Sequence, residues 1–179
     1  MFKKIEEAPL RPGETGLVPD GNGWFIVNIA DAQSTHSESF GSACSFESPE
    51  RNFPELALNV RVIQPGQPNC LYHRESNAEA FLVLSGQCVA IVEEHERPMK
   101  RGDFLYAPPG TAHVFVGAGD GPCVIVMVSN RKPEEELLYP VSEVAARHGA
   151  SAEQDTDDPQ VAYAASSPRE PASIEDLPW

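Results

Sequence analysis

Short apolar or alternating runs follow one another from about Trp24 to Val128, separated by glycine, proline, asparagine and aspartate. This pattern is typical of the strands of a β-sandwich or barrel. No segment in this span shows sustained helical periodicity, which favours an all-β fold. We predict strands at Trp24–Ile29, Leu56–Ile63, Cys70–His73, Glu79–Leu84, Gln87–Glu93, Phe104–Ala107, His113–Val116 and Cys123–Val128.

The predicted strands differ in the polarity of their two faces. In residues 58–62, apolar side chains alternate with Asn59 and Arg61, so we expect one face of that strand to be buried and the other to meet water. By contrast, Phe81–Leu84 and Val124–Val128 are apolar on both faces. Such strands must be covered on both sides. The outer cover is expected from the N-terminal segment, the C-terminal tail or a second subunit.

Length and charge narrow the class of protein. The 179 residues suffice for one domain with a hydrophobic core. With 27 acidic and 13 basic side chains, the formal charge of −14 repels nucleic acid and anionic membrane surfaces, so we expect neither as a partner. No run approaches the ~20 apolar residues of a membrane span. We expect a soluble, cytoplasmic protein.

The chain divides into three predicted parts. These are an N-terminal extension with edge strands, a barrel and an acidic tail, over residues 1–50, 51–131 and 132–179. The tail has 11 acidic and 3 basic residues, and we expect it to be mostly irregular. It carries one predicted short helix, with Ser142 capping its start and Gly149 ending it.

Isolated apolar residues in the tail allow two interpretations. Tyr163, Leu177 and Trp179 can anchor the tail to a barrel surface, either its own or that of a partner subunit. The competing interpretation is a disordered tail.

A pattern of glycine and proline surrounds one short predicted strand. Gly102 is followed after five residues by Pro108, then by Gly110, and after two more residues by His113. The turn around Pro108 leads into the next predicted strand. We expect His113, the first residue of that strand, to point its imidazole inward.

Earlier in the chain, Glu79 and Phe81 share one strand face by the period-two alternation. His73, Glu79 and His113 can therefore converge inside one barrel. Two imidazoles and a carboxylate are suitable ligands for zinc, manganese, iron, nickel or copper, so the spacing does not identify the ion.

Together, residues 65–86 and 102–117 resemble the two sequence motifs of the cupin superfamily, and the resemblance covers roughly residues 55–130. It implies a small single-domain jelly-roll β-barrel whose interior binds a small molecule, with a divalent metal ion near the barrel mouth. It also implies a homodimer formed through sheet faces or exchanged terminal strands.

The first motif departs from the family pattern, which has His-x-His followed after three or four residues by Glu. With three residues before Glu79, the pair falls on His73 and Glu75; with four, it falls on Tyr72 and Arg74. The usual spacing from the motif's first glycine favours the second register. We favour the first, because it places His73 and Glu75 on inward positions beside Glu79 and keeps a set of residues that can bind metal.

Two functions follow from these alternatives. The first is a metal-dependent enzyme of dioxygenase, decarboxylase or isomerase type, in which His73, Glu75, Glu79 and His113 hold a metal that acts on a small oxygenated substrate. Glu75 is a general base if it is not a ligand. The second is a non-catalytic module for a carbohydrate or metabolite, in which Arg74 and Tyr72 bind an anionic or sugar-like ligand without metal.

Overall fold

The computed structural model describes residues 3–48 and 52–174. Those residues form two helices, α1 (Glu143–Ala146) and α2 (Pro159–Ala162), and a 3₁₀ turn at Ile29–Asp31. The strands are β1 (Leu10–Pro12), β2 (Leu17–Pro19), β3 (Gln33–Ser37), β4 (Gly41–Ser45), β5 (Leu56–Ile63), β6 (Arg74–Glu75), β7 (Glu79–Ser85), β8 (Gln87–Val92), β9 (His95–Lys100), β10 (Phe104–Ala107), β11 (His113–Ala118), β12 (Cys123–Asn130), β13 (Leu137–Leu138) and β14 (Glu170–Pro171).

Two antiparallel sheets pack face to face and form a jelly-roll barrel. One sheet has the order β10-β7-β12-β5-β4-β3-β14, and the other has the order β11-β8-β9. The core between them contains Phe81 and Ile125 from the larger sheet and Phe115 from the smaller one. The predicted all-β fold is therefore confirmed.

Most of the predicted strands are present, and two are wrong. Leu56–Ile63 and Phe104–Ala107 match β5 and β10 to the residue. At Trp24–Ile29, the chain makes one bridge from Trp24 to Glu7 and then enters the 3₁₀ turn, which Asn28 caps by accepting from the Ala30 amide. At Cys70–His73, only His73 makes a bridge, and its partner is His113.

In β5 the polar side chains point into the barrel and the apolar side chains point outward, which is the reverse of an ordinary surface strand. Asn59 and Arg61 line a cavity inside the barrel. Val60 and Val62 face outward into a cluster with Ile29 and Ile174, which come from the N-terminal segment and the tail. The same cluster includes β12, so the N-terminal segment and the tail together supply the outer cover that we expected over β12.

The described part of the tail packs on the barrel. The Ser142 side chain accepts a hydrogen bond from the Ala145 amide and caps α1, as predicted. β14 pairs with β3, and Tyr163 packs against Phe40 and Tyr139. The other two predicted anchors, Leu177 and Trp179, lie outside the described residues.

No helix among the described residues is long and apolar enough to cross a membrane. The division of the chain into an extension, a barrel and a tail stays a prediction.

Candidate metal centre

His73 and His113 are held opposite each other by their own backbones. The amide of His113 donates to the carbonyl of His73 at 2.8 Å, and the amide of His73 donates to the carbonyl of His113 at 3.2 Å. The two ring centroids are 4.9 Å apart. A turn in which the Thr111 amide donates to the carbonyl of Pro108 leads the chain into β11 and places His113 at its first residue.

A backbone carbonyl determines the tautomer of each histidine. His73 Nδ1 lies 2.8 Å from the carbonyl oxygen of Leu71, and His113 Nδ1 lies 3.0 Å from that of Thr111. Since a carbonyl oxygen only accepts, each Nδ1 must carry the proton. Nε2 is then the nitrogen of each ring that faces the carboxylates, and it bears a lone pair whenever the ring is neutral, which is the arrangement of a metal-ligating histidine. His113, whose pKa is lowered, meets this condition at neutral pH, whereas His73, whose pKa is raised, must lose its Nε2 proton when a metal binds.

Two carboxylates lie beside these nitrogens. Glu79 Oε2 is 3.2 Å from His113 Nε2, and Glu75 Oε1 is 3.4 Å from His73 Nε2. One potential ligand atom from each of His73, Glu79 and His113 lies within 4.8 Å of the others, and this cluster could hold a metal ion. Glu75 stands next to the cluster and completes a set of two imidazoles and two carboxylates.

Burial and mutual charge shift the pKa values of this group. Burial, together with the charge of Glu75, raises the pKa of Glu79 to about 7. Burial and the charge of His73 lower the pKa of His113 to about 4. The hydrogen bond from His73 lowers the pKa of Glu75, although burial opposes this. Burial also works against protonation of His73, but Cys70 and Glu75 outweigh it and raise the pKa of His73.

The cluster opens into a cavity of about 400 Å³ inside the barrel. β5 contributes Asn59 and Arg61, while Phe81 packs its ring against His113 with centroids 4.9 Å apart. The tail contributes Tyr139 and Tyr163. The volume suits a small molecule.

Comparison with known proteins identifies the family. The sequence of residues 59–129 matches the cupin domain family. These residues form a cupin domain. No curated protein matches it.

Solved structures share the cupin architecture. A sugar phosphate isomerase of the cupin superfamily from Silicibacter pomeroyi is 21% identical, with a TM-score of 0.55 over 64% of this chain and 81% of that chain. The polyketide cyclase RemF from Streptomyces resistomycificus is 15% identical, with a TM-score of 0.52 over 62% and 82%. A structure from Acidithiobacillus ferrooxidans is 26% identical, but the match covers 46% of this chain and 55% of that chain, with a TM-score of 0.44. The first two show the fold that this cupin shares with them.

All four residues that the sequence analysis named as ligands line the cavity of this cupin: His73, Glu75, Glu79 and His113. The two residues of the other register lie elsewhere. Tyr72 is buried in a separate apolar cluster, where its hydroxyl accepts from the Glu94 amide, and Arg74 is exposed.

The cavity also holds polar groups that the sequence analysis did not assign. Among the described residues, the buried side-chain atoms without a hydrogen-bond partner are Arg61 Nη1, Asn77 Oδ1 and Arg131 Nε, and all three residues line this cavity. Buried polar atoms are normally paired, so this set indicates a cavity built to meet a polar ligand. The alternating pattern of β5 marked Arg61 as polar, but nothing local to residues 77 and 131 pointed to the same cavity.

Proposed function

We propose that this cupin is a metal-dependent enzyme that acts on a small oxygenated substrate inside its barrel. The observation that carries the proposal is the convergence of His73, Glu79 and His113, with Nδ1 of both imidazoles held by backbone carbonyls so that Nε2 of each faces the cluster.

The donor set fits a divalent ion of the first transition series, whether zinc, manganese, iron, nickel or copper. His73, Glu79 and His113 would hold it, with Glu75 either as a fourth ligand or as a general base. When bound, such an ion polarises a substrate oxygen or activates molecular oxygen. Glu75, whose pKa is lowered, is ionised at neutral pH and is able to accept a proton from the substrate.

Metal content by elemental mass spectrometry tests this proposal. The wild type is expected to bind close to one ion per chain, and His73→Ala and His113→Ala are expected to lose it. His95→Ala is the matched control, because His95 is exposed and its Nδ1 also contacts a carbonyl two residues earlier, that of Glu93. Protein that stays metal-free after reconstitution with each of the five ions would refute the enzyme proposal.

The competing function is a non-catalytic module for a carbohydrate or metabolite. The unpaired polar atoms of Arg61, Asn77 and Arg131 favour a bound polar ligand whether or not metal is present. The two functions differ in their response to a chelator, because a metal-free module keeps its ligand affinity after metal removal and a metal-dependent enzyme loses its activity.

We also propose that the chain forms a homodimer through the outer face of β7 and β10. β10 is an edge strand, and its Phe104 and Tyr106 are 64% and 59% exposed, beside Leu82 of β7 at 37%. A contiguous apolar patch of this kind is typical of an interface. Sedimentation equilibrium should give twice the chain mass for the wild type and the chain mass for Phe104→Asp. A wild-type mass equal to one chain would exclude the dimer.

A further inference from the structure

A second chamber of about 390 Å³ adjoins the metal-side cavity. The two share Arg61, Asn69, Cys70 and Tyr163 as lining residues. The far side of this chamber is formed by the tail, which supplies residues 166–169. None of the described residues that line the chamber carries a carboxylate.

Arg61 projects from β5 into both spaces, and its hydrogen bonding is incomplete. Its Nε donates to the side-chain oxygen of Asn59 at 3.2 Å, whereas Nη1 is buried and has no partner. Arg61 takes part in no ion pair among the described residues, whereas Arg131 pairs with Glu47 and Arg147 with Glu96. Arg61 is half-buried, and the buried part of its guanidinium therefore has no acidic partner among the described residues.

Arg169 brings a second guanidinium to the same chamber. It donates to the backbone carbonyls of Gly41 at 3.2 Å and of Phe40 and Asn69 at 3.4 Å, all of which are neutral acceptors. Burial and the nearby charge of Arg61 lower the pKa of Arg169 to about 10. Two like charges thus line one chamber, with Arg61 half-buried and Arg169 partly open to solvent. An anion between them would offset their mutual repulsion.

We propose that Arg61 and Arg169 form a binding site for the oxyanion group of the ligand, a carboxylate or a phosphate ester. Guanidinium groups match both through paired N–H donors. The site is locally positive in a chain of formal charge −14, so the chain as a whole does not attract anions. An anion is therefore selected by direct contact with the two arginines. In the proposed enzyme, a substrate anchored here extends its oxygenated end toward His73 and His113; this last step rests on the proposed function, and the anion site does not.

The test is anion binding to chelator-treated protein, so that it is independent of metal. Inorganic phosphate and acetate are titrated separately into the wild type, Arg61→Met and Arg169→Met by calorimetry, with thermal unfolding as a second readout. Arg97→Met is the matched control, because Arg97 is exposed on β9. We expect the dissociation constant to rise at least tenfold in Arg61→Met and in Arg169→Met and to stay within twofold in Arg97→Met.

Thermal unfolding separates a binding role of Arg61 from a structural one. If Arg61 binds an anion, Arg61→Met removes a positive charge that has no acidic partner. The anion-free variant should then unfold at a temperature no lower than that of the wild type. Its unfolding temperature should also no longer rise when an anion is added. Binding of phosphate alone would identify a phosphate ester, and binding of acetate alone a carboxylic acid.

The proposal is overturned if the wild type binds neither anion at up to about 50 mM. It is also overturned if Arg61→Met and Arg169→Met both bind as the wild type does. Anion binding by a protein that takes up no metal would leave the anion site intact and refute only the metal-dependent enzyme.

Discussion

A backbone carbonyl accepts a hydrogen bond from Nδ1 of each site histidine, and in both cases it belongs to the residue two positions earlier. Leu71 serves His73, and Thr111 serves His113. The exposed His95 makes the same contact with Glu93, so this local geometry does not by itself mark a metal ligand. The site differs from His95 because the barrel brings two such rings and two carboxylates together in a largely buried cluster.

Glu79 provides a test of that burial at the scale of one residue. Its pKa of about 7 in the folded protein lies above its usual value of 4.5, so the folded state binds an extra proton between these values. Stability of the metal-free protein should therefore fall as pH rises through this window. We expect Glu79→Gln to raise the free energy of unfolding by about 1–3 kcal/mol at pH 8 and to have little effect at pH 4.5.

Urea unfolding of the chelator-treated proteins at the two pH values measures this difference. A Glu79→Gln variant that is less stable than the wild type at pH 8 would show that the carboxylate is well solvated or well paired without metal.

At the scale of elements, strands with strong local signals were predictable and strands without them were not. Residues 58–62 of β5 alternate and β10 lies between Gly102 and Pro108, and both strands were predicted to the residue. β9 was missed because it contains Pro98 and charged side chains, which an edge strand tolerates. β3 and β4 were missed because their small polar residues show no apolar alternation.

The same contrast holds within the site. His73, Glu75, Glu79 and His113 lie in two motifs with recognisable spacing, so the sequence sufficed to predict that they lie together in one cavity. Tyr163 was predicted as a possible anchor on a barrel surface, but its place in the cavity and that of Arg169 depend on the tail folding back over the barrel, where β14 pairs with β3. A contact made across more than 90 residues leaves no local pattern, and the tail was expected to be mostly irregular.

Gly117 in β11 offers a test at the scale of packed strands. A Cβ added there would lie 2.1 Å from the carbonyl oxygen of Gln64, which is backbone and cannot turn away. We expect Gly117→Ala to lower the free energy of unfolding by about 2 kcal/mol or more. Gly121→Ala is the control, because a Cβ at that position meets nothing within 4 Å. Equal stability of the two variants in urea unfolding would mean that the backbone at Gln64 shifts to accommodate the added Cβ at little cost in free energy.

At the scale of the whole molecule, the two adjoining cavities differ in charge, although Arg131, which is paired with Glu47, also lines the metal side. Glu75 and Glu79 lie at the histidine cluster, while Arg61 and Arg169 lie toward the tail-covered chamber. The cavity thus presents carboxylates suited to a cation at one end and guanidiniums suited to an anion at the other. A polar ligand with one acidic group and one oxygen-rich end fits this division better than an apolar one.

Metal binding should also stabilise the molecule as a whole, because the proposed ligands belong to different sheets. Glu79 begins β7 of the larger sheet, and His113 begins β11 of the smaller one, so a bound ion would link them. An ion that binds only the folded state at 100 times its dissociation constant adds about 2.7 kcal/mol. We expect the unfolding midpoint to rise on metal addition and to return with chelator. The rise in the unfolding midpoint should persist in His95→Ala and vanish in His113→Ala. It should be smaller at pH 6, because a metal ion must then displace protons from Glu79 and His73. An equal rise in His113→Ala would place the bound metal elsewhere on the protein.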